Sequence, residues 1–217
     1  MSEDVAGGCH TMSPSRGKLF VIAAPSGAGK TSLVRALIQR LPALRFSISY
    51  TTRKQRPNEQ HARDYFFVDM PEFERMVAAE EFLEHARVFD NCYGTSRAQV
   101  EQLLAAGENV LLEIDWQGAQ QIRRALPECK TIFVLPPSRA ALEQRLRGRG
   151  TDSDEVIARR LRDSIADMSH WNEFDYVVIN DDFERAAADL QDIIAAHGEH
   201  LRRERPELQT LLESLLG

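Results

Sequence analysis

The stretch AAPSGAGKTS at residues 23–32 restricts the fold more than any other part of the chain. It begins at the end of the apolar run LFVIA and leads into the helix-like run SLVRALIQRL. A glycine-rich loop that joins a strand to a helix and ends in Lys30 and Thr31 is typical of a phosphate-binding loop. Its backbone N–H groups and the positive end of the helix dipole would surround a phosphate. Ala24 replaces the first glycine of the usual G-x-x-x-x-G-K-S/T pattern.

The alternative to a phosphate-binding loop is an ordinary glycine-rich turn. The position between a strand and a helix makes that alternative much the weaker one. Ala24 ends the strand, where we expect a small side chain to suffice.

Short runs rich in valine, isoleucine and leucine predict strands at residues 18–24, 109–115, 130–136 and 175–181. Helix-like patterns separate the later strands, at residues 95–107, 118–126 and 153–168. Strands of this composition that alternate with helices favour a mainly parallel sheet with helices on both faces. The predicted fold class is therefore α/β.

Residues 45–97 interrupt this alternation with several short strand-like runs and one helical piece at 71–80. An inserted, partly antiparallel subdomain explains this segment better than another parallel unit. Further on, the charge-dense link RLRGRGTDSDE at 145–155 connects two predicted helices. A long helix is expected from Asp181 to about Arg205, where Pro206 would end it.

These patterns divide the chain into segments. We expect a flexible tail at 1–16, a core made of 17–44, 98–137 and 161–205, an insertion at 45–97, a separate segment at about 138–160, and a C-terminal helix at 206–217.

Composition and charge argue against several classes of protein. A net charge of −6 gives no broad basic surface for nucleic acid. No apolar run approaches the ~20 residues of a membrane helix. The opening MSEDVAGGCHTMSPSRG lacks the apolar core of a signal peptide, and Met12 is an alternative start. The three widely spaced cysteines predict neither a disulfide framework nor a metal site, so a cytoplasmic location is expected.

The stretch SYTTRKQRPNE at residues 49–59 is a candidate anion-binding site. Arg53 and Arg56 lie three residues apart in a net-acidic protein. Because guanidinium groups match the geometry of phosphate oxygens, the pair suggests an anion clamp. A solvated charged turn is the alternative, and the two arginines alone do not exclude it.

Taken together, several segments of the chain resemble the guanylate kinase family, in particular its bacterial members. They are APSGAGKTS, SYTTRKQRPNE, DYFFV, FLEHARVFDNCYGTS, LEIDWQGAQQI, RLRGRG and VVINDDF. The resemblance covers about residues 17–200, with the segments in the family's order. It implies a P-loop kinase fold with a small GMP-binding insertion and a helical lid at about 138–160. It also implies transfer of the γ-phosphoryl group of ATP to GMP, with Mg²⁺.

The resemblance also implies roles for individual residues. ATP would be bound by Ser26, Gly27, Ala28, Gly29, Lys30, Thr31, Ser32 and Asn180. The transferring phosphates would be contacted by Lys30, Arg145, Arg149 and Arg160. The phosphate of GMP would be bound by Arg53, Arg56, Tyr65 and Tyr93, and its base by Ser49, Glu84, Thr95 and Asp115. Glu59 and Glu113 complete the expected GMP site. Thr31 would hold Mg²⁺ together with the ATP phosphates and water.

The chemistry of guanine agrees with these implied roles. The base presents O6 and N7 as acceptors, which suit hydroxyl donors, and N1–H and N2–H₂ as donors, which suit carboxylates. Adenine has the reverse pattern on that edge, so buried carboxylates would select against it. No catalytic base is needed, because the phosphate oxygen of GMP is already anionic.

Two positions depart from the family's pattern. Glu113 stands where an aspartate is frequent, and its longer side chain leaves its role between the metal's water shell and GMP open. Cys92 precedes Tyr93, where a second aromatic residue is common.

Other functions remain alternatives at this point. One is a non-catalytic guanylate-kinase-like interaction module, against which the intact Lys30 and the lid arginines argue. Another is a P-loop kinase for a phosphorylated sugar, which the complete set of guanine-reading residues disfavours. A GTPase would carry an N-K-x-D motif, and the sequence has none. Activity on dGMP is expected, and a homo-oligomer is left open.

Overall fold

The computed structural model describes residues 15–88, 90–148 and 153–217. The nine strands among these residues are β1 Leu19–Ala23, β2 Leu44–Phe46, β3 Tyr50–Thr51, β4 Phe66–Phe67, β5 Phe82–Val88, β6 Asn91–Ser96, β7 Asn109–Glu113, β8 Lys130–Leu135 and β9 Tyr176–Ile179. The α-helices are α1 Lys30–Arg40, α2 Met70–Ala78, α3 Arg97–Ala105, α4 Trp116–Ala125, α5 Arg139–Arg147, α6 Asp154–Met168, α7 Phe183–Ile194 and α8 Leu208–Leu216.

The central sheet has the strand order β2-β7-β1-β8-β9, and all of its neighbouring strands are parallel. Every residue of β1 is buried, because helices cover both faces of the sheet. Its side chains alternate between two apolar clusters. Val21 packs with residues of α3, α4, α5, α6 and α8, and Ile22 packs with residues of α1 and α7. The predicted α/β class, with a parallel sheet between two layers of helices, is confirmed.

The second sheet has the order β4-β3-β6-β5. Its β6 strand is antiparallel to both β3 and β5, whereas β3 and β4 are parallel. The helix α2 covers this sheet by burying Phe73 and Met76 against Phe82 of β5. This smaller core is separate from the two clusters of the central sheet.

Two of the predictions are wrong. The predicted insertion begins at residue 45, but residues 45 and 46 lie in β2, which pairs with β7 at the edge of the central sheet. The segment is too short to show whether its partner lies in the core or in the insertion, so its sequence carried no signal for this pairing.

The long helix expected to reach Arg205 is the second error, because α7 ends at Ile194. Ala196 has a φ of 64°, in the left-handed region. The backbone N–H of His197 donates to the carbonyl of Asp192 at 2.8 Å, and that of Ala196 donates to Ile193 at 3.1 Å. Such bonds close a helix when a left-handed residue follows its last turn. An alanine in this role gives no sequence signal, because glycine is the usual residue there.

No helix in the described ranges is long and apolar enough to cross a membrane.

Replacing Ala196 with glycine should stabilise the protein by about 0.5–1 kcal/mol, because glycine adopts a positive φ without the clash that a β-carbon makes. Urea denaturation measures the change. The matched control is Ala195→Gly, at an exposed neighbour with a φ of −77°, which should lower stability by a similar amount. A loss of stability in both variants would contradict a cause in the backbone conformation of Ala196.

Candidate active site

The loop between β1 and α1 has the geometry of an anion-binding site. Gly29 precedes the first residue of α1 with a φ of 94°, a conformation that favours glycine. The first N–H groups of a helix have no acceptor within the helix, and the helix dipole favours negative charge in front of them. The sequence of the loop and its surroundings thus build a site suited to phosphate.

A cleft of about 440 Å³ lies in front of this loop, and we call it the donor cleft. One wall is the loop itself, and the opposite wall comes from α4 and α6, with Arg87 and Val88 of β5 at the border. The expected ATP-binding and catalytic residues that line the donor cleft are Ser26, Gly27, Gly29, Lys30, Thr31, Ser32 and Arg160.

Lys30 and Thr31 are both anchored to the end of β7. Lys30 Nζ donates to the carbonyl oxygen of Ile114 at 2.5 Å, and Thr31 Oγ1 donates to Glu113 Oε1 at 2.6 Å. The hydroxyl proton of Thr31 is therefore directed at Glu113, which leaves its oxygen lone pairs free to accept a cation. A hydroxyl beside a carboxylate fits Mg²⁺, which keeps several waters and takes few protein ligands. No group of three or more metal-ligating side chains occurs among the described residues.

The rear of the loop is held by Asn180 and Arg145. Asn180 is buried, and its Nδ2 donates to the carbonyl oxygen of Ala28 at 2.7 Å. Arg145 Nη1 donates to the same oxygen at 3.2 Å, while its Nη2 donates to the carbonyl of Asn180 at 2.7 Å. Asn180 and Arg145 thus both contact the backbone of the loop, and Arg145 also contacts the backbone just after β9. Arg149, also expected at the phosphates, lies outside the described residues.

A second cavity, of about 210 Å³, lies beside the donor cleft, and we call it the acceptor cavity. The expected site residues that line it are Lys30, Ser49, Tyr65, Glu84, Tyr93, Glu113 and Asp115. Lys30, Val88 and Asp115 line both spaces. The two spaces therefore meet at the lysine of the loop.

Glu84 is a buried carboxylate in the wall of the acceptor cavity. It is 3% exposed, and its Oε1 accepts a hydrogen bond of 2.6 Å from the fully buried hydroxyl of Thr95. Burial raises the pKa of Glu84 to about 7, and the nearby charge of Asp115 adds to this, whereas Thr95 and Lys30 oppose it. Thr95 thus contacts Glu84 directly, and the pKa of the Glu84 carboxylate lies near neutral pH.

Asp115 lies across from Glu84 at the beginning of α4. It is the N-cap of that helix, and its Oδ1 accepts a hydrogen bond of 2.7 Å from the backbone N–H of Gly118. An N-cap aspartate keeps its second oxygen available for another donor. Together with Glu113, Glu84 and Asp115 therefore place three carboxylates in the lining of the same small cavity.

The expected anion clamp lies in a groove next to the acceptor cavity. This groove is lined by Arg53, Arg56, Tyr65 and Tyr93, together with Glu59. Glu59 accepts hydrogen bonds of 2.7 and 3.0 Å from the two terminal nitrogens of Arg53. This bond lowers the pKa of Glu59, whereas burial raises that of Tyr65.

The two arginines of the clamp differ in exposure. The Arg53 side chain is 15% exposed and lies over the Tyr65 ring, with its central carbon 5.3 Å from the ring centroid. The Arg56 side chain is 71% exposed. Arg53 is therefore fixed in place, whereas Arg56 is available to a ligand.

Comparison with known proteins gives consistent matches to one family. The family model for guanylate kinase matches residues 16–197. The chain belongs to the guanylate kinase family. It is 55% identical over 203 residues to a guanylate kinase of Methylococcus capsulatus, covering 94% of this chain and 100% of that protein. It is 50% identical over 205 residues to a guanylate kinase of Escherichia coli strain K12, covering 94% of this chain and 99% of that protein.

A solved structure gives the same result. The crystal structure of guanylate kinase from Anaplasma phagocytophilum matches with a TM-score of 0.68 and 33% sequence identity, covering 92% of this chain and 95% of that one. The family membership of this chain thus rests on both sequence and fold.

The donor cleft of this guanylate kinase family member is also lined by residues that the sequence did not predict there. They are Arg87, Trp116, Gln117, Asp163 and Asp167. Trp116 Nε1 donates to Asp167 at 3.0 Å, which links α4 to α6. Burial raises the pKa of Asp167. Because these residues come from three distant elements, the sequence offered no local motif that could group them.

Replacing Glu84 with glutamine tests the cost of this buried carboxylate. The folded state binds a proton at Glu84 more tightly than the unfolded state does. The stability that this tighter proton binding adds is therefore complete below pH about 4.5 and is lost as the pH rises through about 7. Glutamine is neutral throughout. The stability of Glu84→Gln relative to the native protein should therefore rise by about 3 kcal/mol from pH 4.5 to pH 8, as measured by urea denaturation without nucleotide.

The matched control is Glu74→Gln, at an exposed position of α2. Its stability relative to the native protein should stay nearly constant over the same pH range. A constant difference for Glu84→Gln as well would contradict the raised pKa.

Proposed function

We propose that this protein transfers the γ-phosphoryl group of ATP to GMP, giving ADP and GDP, by direct in-line attack. The observation that carries the proposal is the junction of the donor cleft with the acceptor cavity at Lys30 and Asp115. A phosphate-binding loop faces one side of this junction, and a pair of carboxylates suited to guanine faces the other. Belonging to the guanylate kinase family supports the same reaction.

On the donor side, the backbone N–H groups of the loop hold the ATP phosphates at the start of α1. Thr31 would help to hold Mg²⁺, and its bond to Glu113 orients its lone pairs for that role. When bound, Mg²⁺ neutralises charge on the ATP phosphates. Glu113 acts through Thr31, and its place in the lining of the acceptor cavity keeps it close to GMP.

On the acceptor side, Arg53, Arg56, Tyr65 and Tyr93 bind the phosphate of GMP. Glu59 acts indirectly, because both of its oxygens accept from Arg53 and so fix the direction of that guanidinium group. The high pKa of the buried Tyr65 phenol keeps its proton available for donation to phosphate. Arg56 supplies a second guanidinium group from the surface.

Glu84 and Asp115 accept hydrogen bonds from N1–H and N2–H₂ of the guanine base, with Ser49 as a hydroxyl donor to the base. Thr95 holds Glu84 in position. A neutral Glu84 could accept fewer bonds, so guanine binding favours its ionised form. None of these contacts involves the 2′-hydroxyl of the ribose, and we therefore extend the proposal to dGMP.

In the transfer step, an anionic phosphate oxygen of GMP attacks the γ-phosphorus while the bond to the bridging oxygen of ADP breaks. Proximity and charge stabilisation are sufficient, because the nucleophile is already ionised. Lys30 and Arg160 face the cleft in which the charge develops. We assign Arg145 and Arg149 of the lid to the same phosphates after closure, when Arg145 leaves the carbonyls of Ala28 and Asn180.

We assign the reaction to the cytoplasm. Cys92 and Cys129 are free thiols, which suits a reducing compartment.

An acceptor screen tests the function as a whole. ADP release from ATP should depend on GMP or dGMP and should be far slower with AMP, UMP or dTMP. Absence of GMP-dependent ADP release would contradict the proposal and favour a non-catalytic interaction module.

Replacing Lys30 with methionine should lower kcat about 100- to 1000-fold, because the ammonium group that would stabilise the negative charge of the transferring phosphoryl group is lost. Steady-state ADP release measures this, and calorimetry should show that GMP still binds. The control is Lys18→Met, at an exposed residue before β1, which should keep its turnover. Near-normal kcat in Lys30→Met would rule out the assigned role.

Replacing Arg56 with alanine should weaken GMP binding roughly tenfold, because a charge-assisted contact with phosphate is lost. Calorimetry should show little change for ATP. The exposed neighbour Lys54 provides the control variant Lys54→Ala, which should leave both affinities nearly unchanged. Equal weakening for both nucleotides in Arg56→Ala would argue against its place at the GMP phosphate.

A further inference from the structure

Gly118 lies in the first turn of α4, close to the carboxylates of Glu84 and Asp115 that line the acceptor cavity. Its backbone N–H donates to Asp115 Oδ1 at 2.7 Å. A β-carbon built on this residue would lie only 2.8 Å from Glu84 Oε2 and 3.3 Å from Asp115 Oδ1. Carbon and oxygen repel each other at the shorter distance. Only glycine therefore leaves room for Glu84 Oε2 beside this turn.

Glu84 cannot move aside without losing a contact. Its other oxygen, Oε1, accepts the 2.6 Å hydrogen bond from Thr95, and the side chain is 3% exposed. Rotation of the carboxylate would break this bond in a buried region, where an unsatisfied polar group is costly.

The backbones on either side of the gap are also fastened together. Gln121 of α4 donates from Nε2 to the carbonyl of His85 at 2.9 Å, and its Oε1 accepts from the His85 N–H at 3.1 Å. His85 follows Glu84 in β5. These bonds tie α4, close to its first turn, to the strand that carries Glu84, and they limit how far the helix can move away to make room at Gly118.

We propose that Gly118 is a positioning residue for guanine recognition, which sets the spacing between the carboxylates of Glu84 and Asp115. This inference rests on the function proposed above. The base presents two adjacent donors, N1–H and N2–H₂, so the acceptors must lie at a matching separation. Gly118 provides that separation in two ways: its N–H fixes Asp115, and its missing side chain admits Glu84.

A purely structural role would have different consequences. The same β-carbon would lie 3.2 Å from Cδ1 of Ile114, so close packing alone could require glycine. Such a role would change stability and leave the choice of base unaltered. The ratio of activity on GMP to that on IMP, which lacks the N2 amino group, therefore separates the two explanations.

The experiment compares native protein with Gly118→Ala in steady-state ADP release and thermal unfolding. The value of kcat/KM for GMP should fall roughly tenfold, because a charged hydrogen bond to the base is misplaced. The KM for ATP should change by less than about twofold. The ratio of kcat/KM for GMP to kcat/KM for IMP should fall towards one. Since alanine is the stronger helix former, α4 itself gains stability from this substitution.

A second background tests the contact with Glu84 directly. Glu84→Asp shortens the side chain by one methylene and withdraws its oxygens from the space above residue 118. Adding Gly118→Ala in that background should change kcat/KM for GMP by less than about twofold, because the clash is gone. If Gly118→Ala alone does not fold, the double variant carries the test, and its constants should match those of Glu84→Asp.

The control variant is Ala125→Gly, at the exposed last residue of α4. It should lower stability through helix propensity and leave the GMP-to-IMP ratio unchanged. An unchanged ratio in Gly118→Ala, or an equal loss in the Glu84→Asp background, would overturn the inference. A native protein without GMP-dependent ADP release would instead contradict the proposed function, so the two failures are distinguishable.

Discussion

The parallel pairing of β1 with β7 is the constraint on which the rest of the site depends. In this register Ile22 lies opposite Glu113, so the carboxyl ends of the two strands emerge side by side. The phosphate-binding loop continues from one end, and Asp115 and α4 continue from the other. Ligands of open α/β sheets bind at this edge because loops from adjacent strands converge there. The bonds of Lys30 and Thr31 to the end of β7 follow from the same pairing.

The second sheet brings a buried charge to this edge. Glu84 is held on β5 beneath the first turn of α4, where burial and the charge of Asp115 raise its pKa. Such a group destabilises the folded protein whenever it is ionised without a ligand. A guanine base would supply the missing donors. We therefore interpret the cost as part of recognition, since sites that bind polar groups often retain locally unfavourable arrangements.

The sequence carries a clearer local signal for the donor side than for the acceptor side. The loop from Ala23 to Ser32 is one continuous stretch, and its flanking strand and helix have clear apolar patterns. Ser49, Glu84 and Asp115, in contrast, come from separate elements of two sheets. Only the resemblance to a family indicated that they act together. The errors have local causes: β2 joins the core through a long-range pairing, and Ala196 takes a backbone conformation that its residue type does not indicate.

The sequence by itself determined the α/β class and the strand–loop–helix unit at Lys30, because these depend on periodicity and on a contiguous motif. It indicated the residues of the acceptor side only through the resemblance to a family. The tertiary structure decided that the donor cleft and the acceptor cavity meet at Lys30, Val88 and Asp115. It also decided that Arg145 donates to the loop carbonyl of Ala28 and that Gly118 adjoins Glu84. These relations arise from the packing of distant elements, and no spacing along the chain encodes the distance between a turn of α4 and a strand of another sheet.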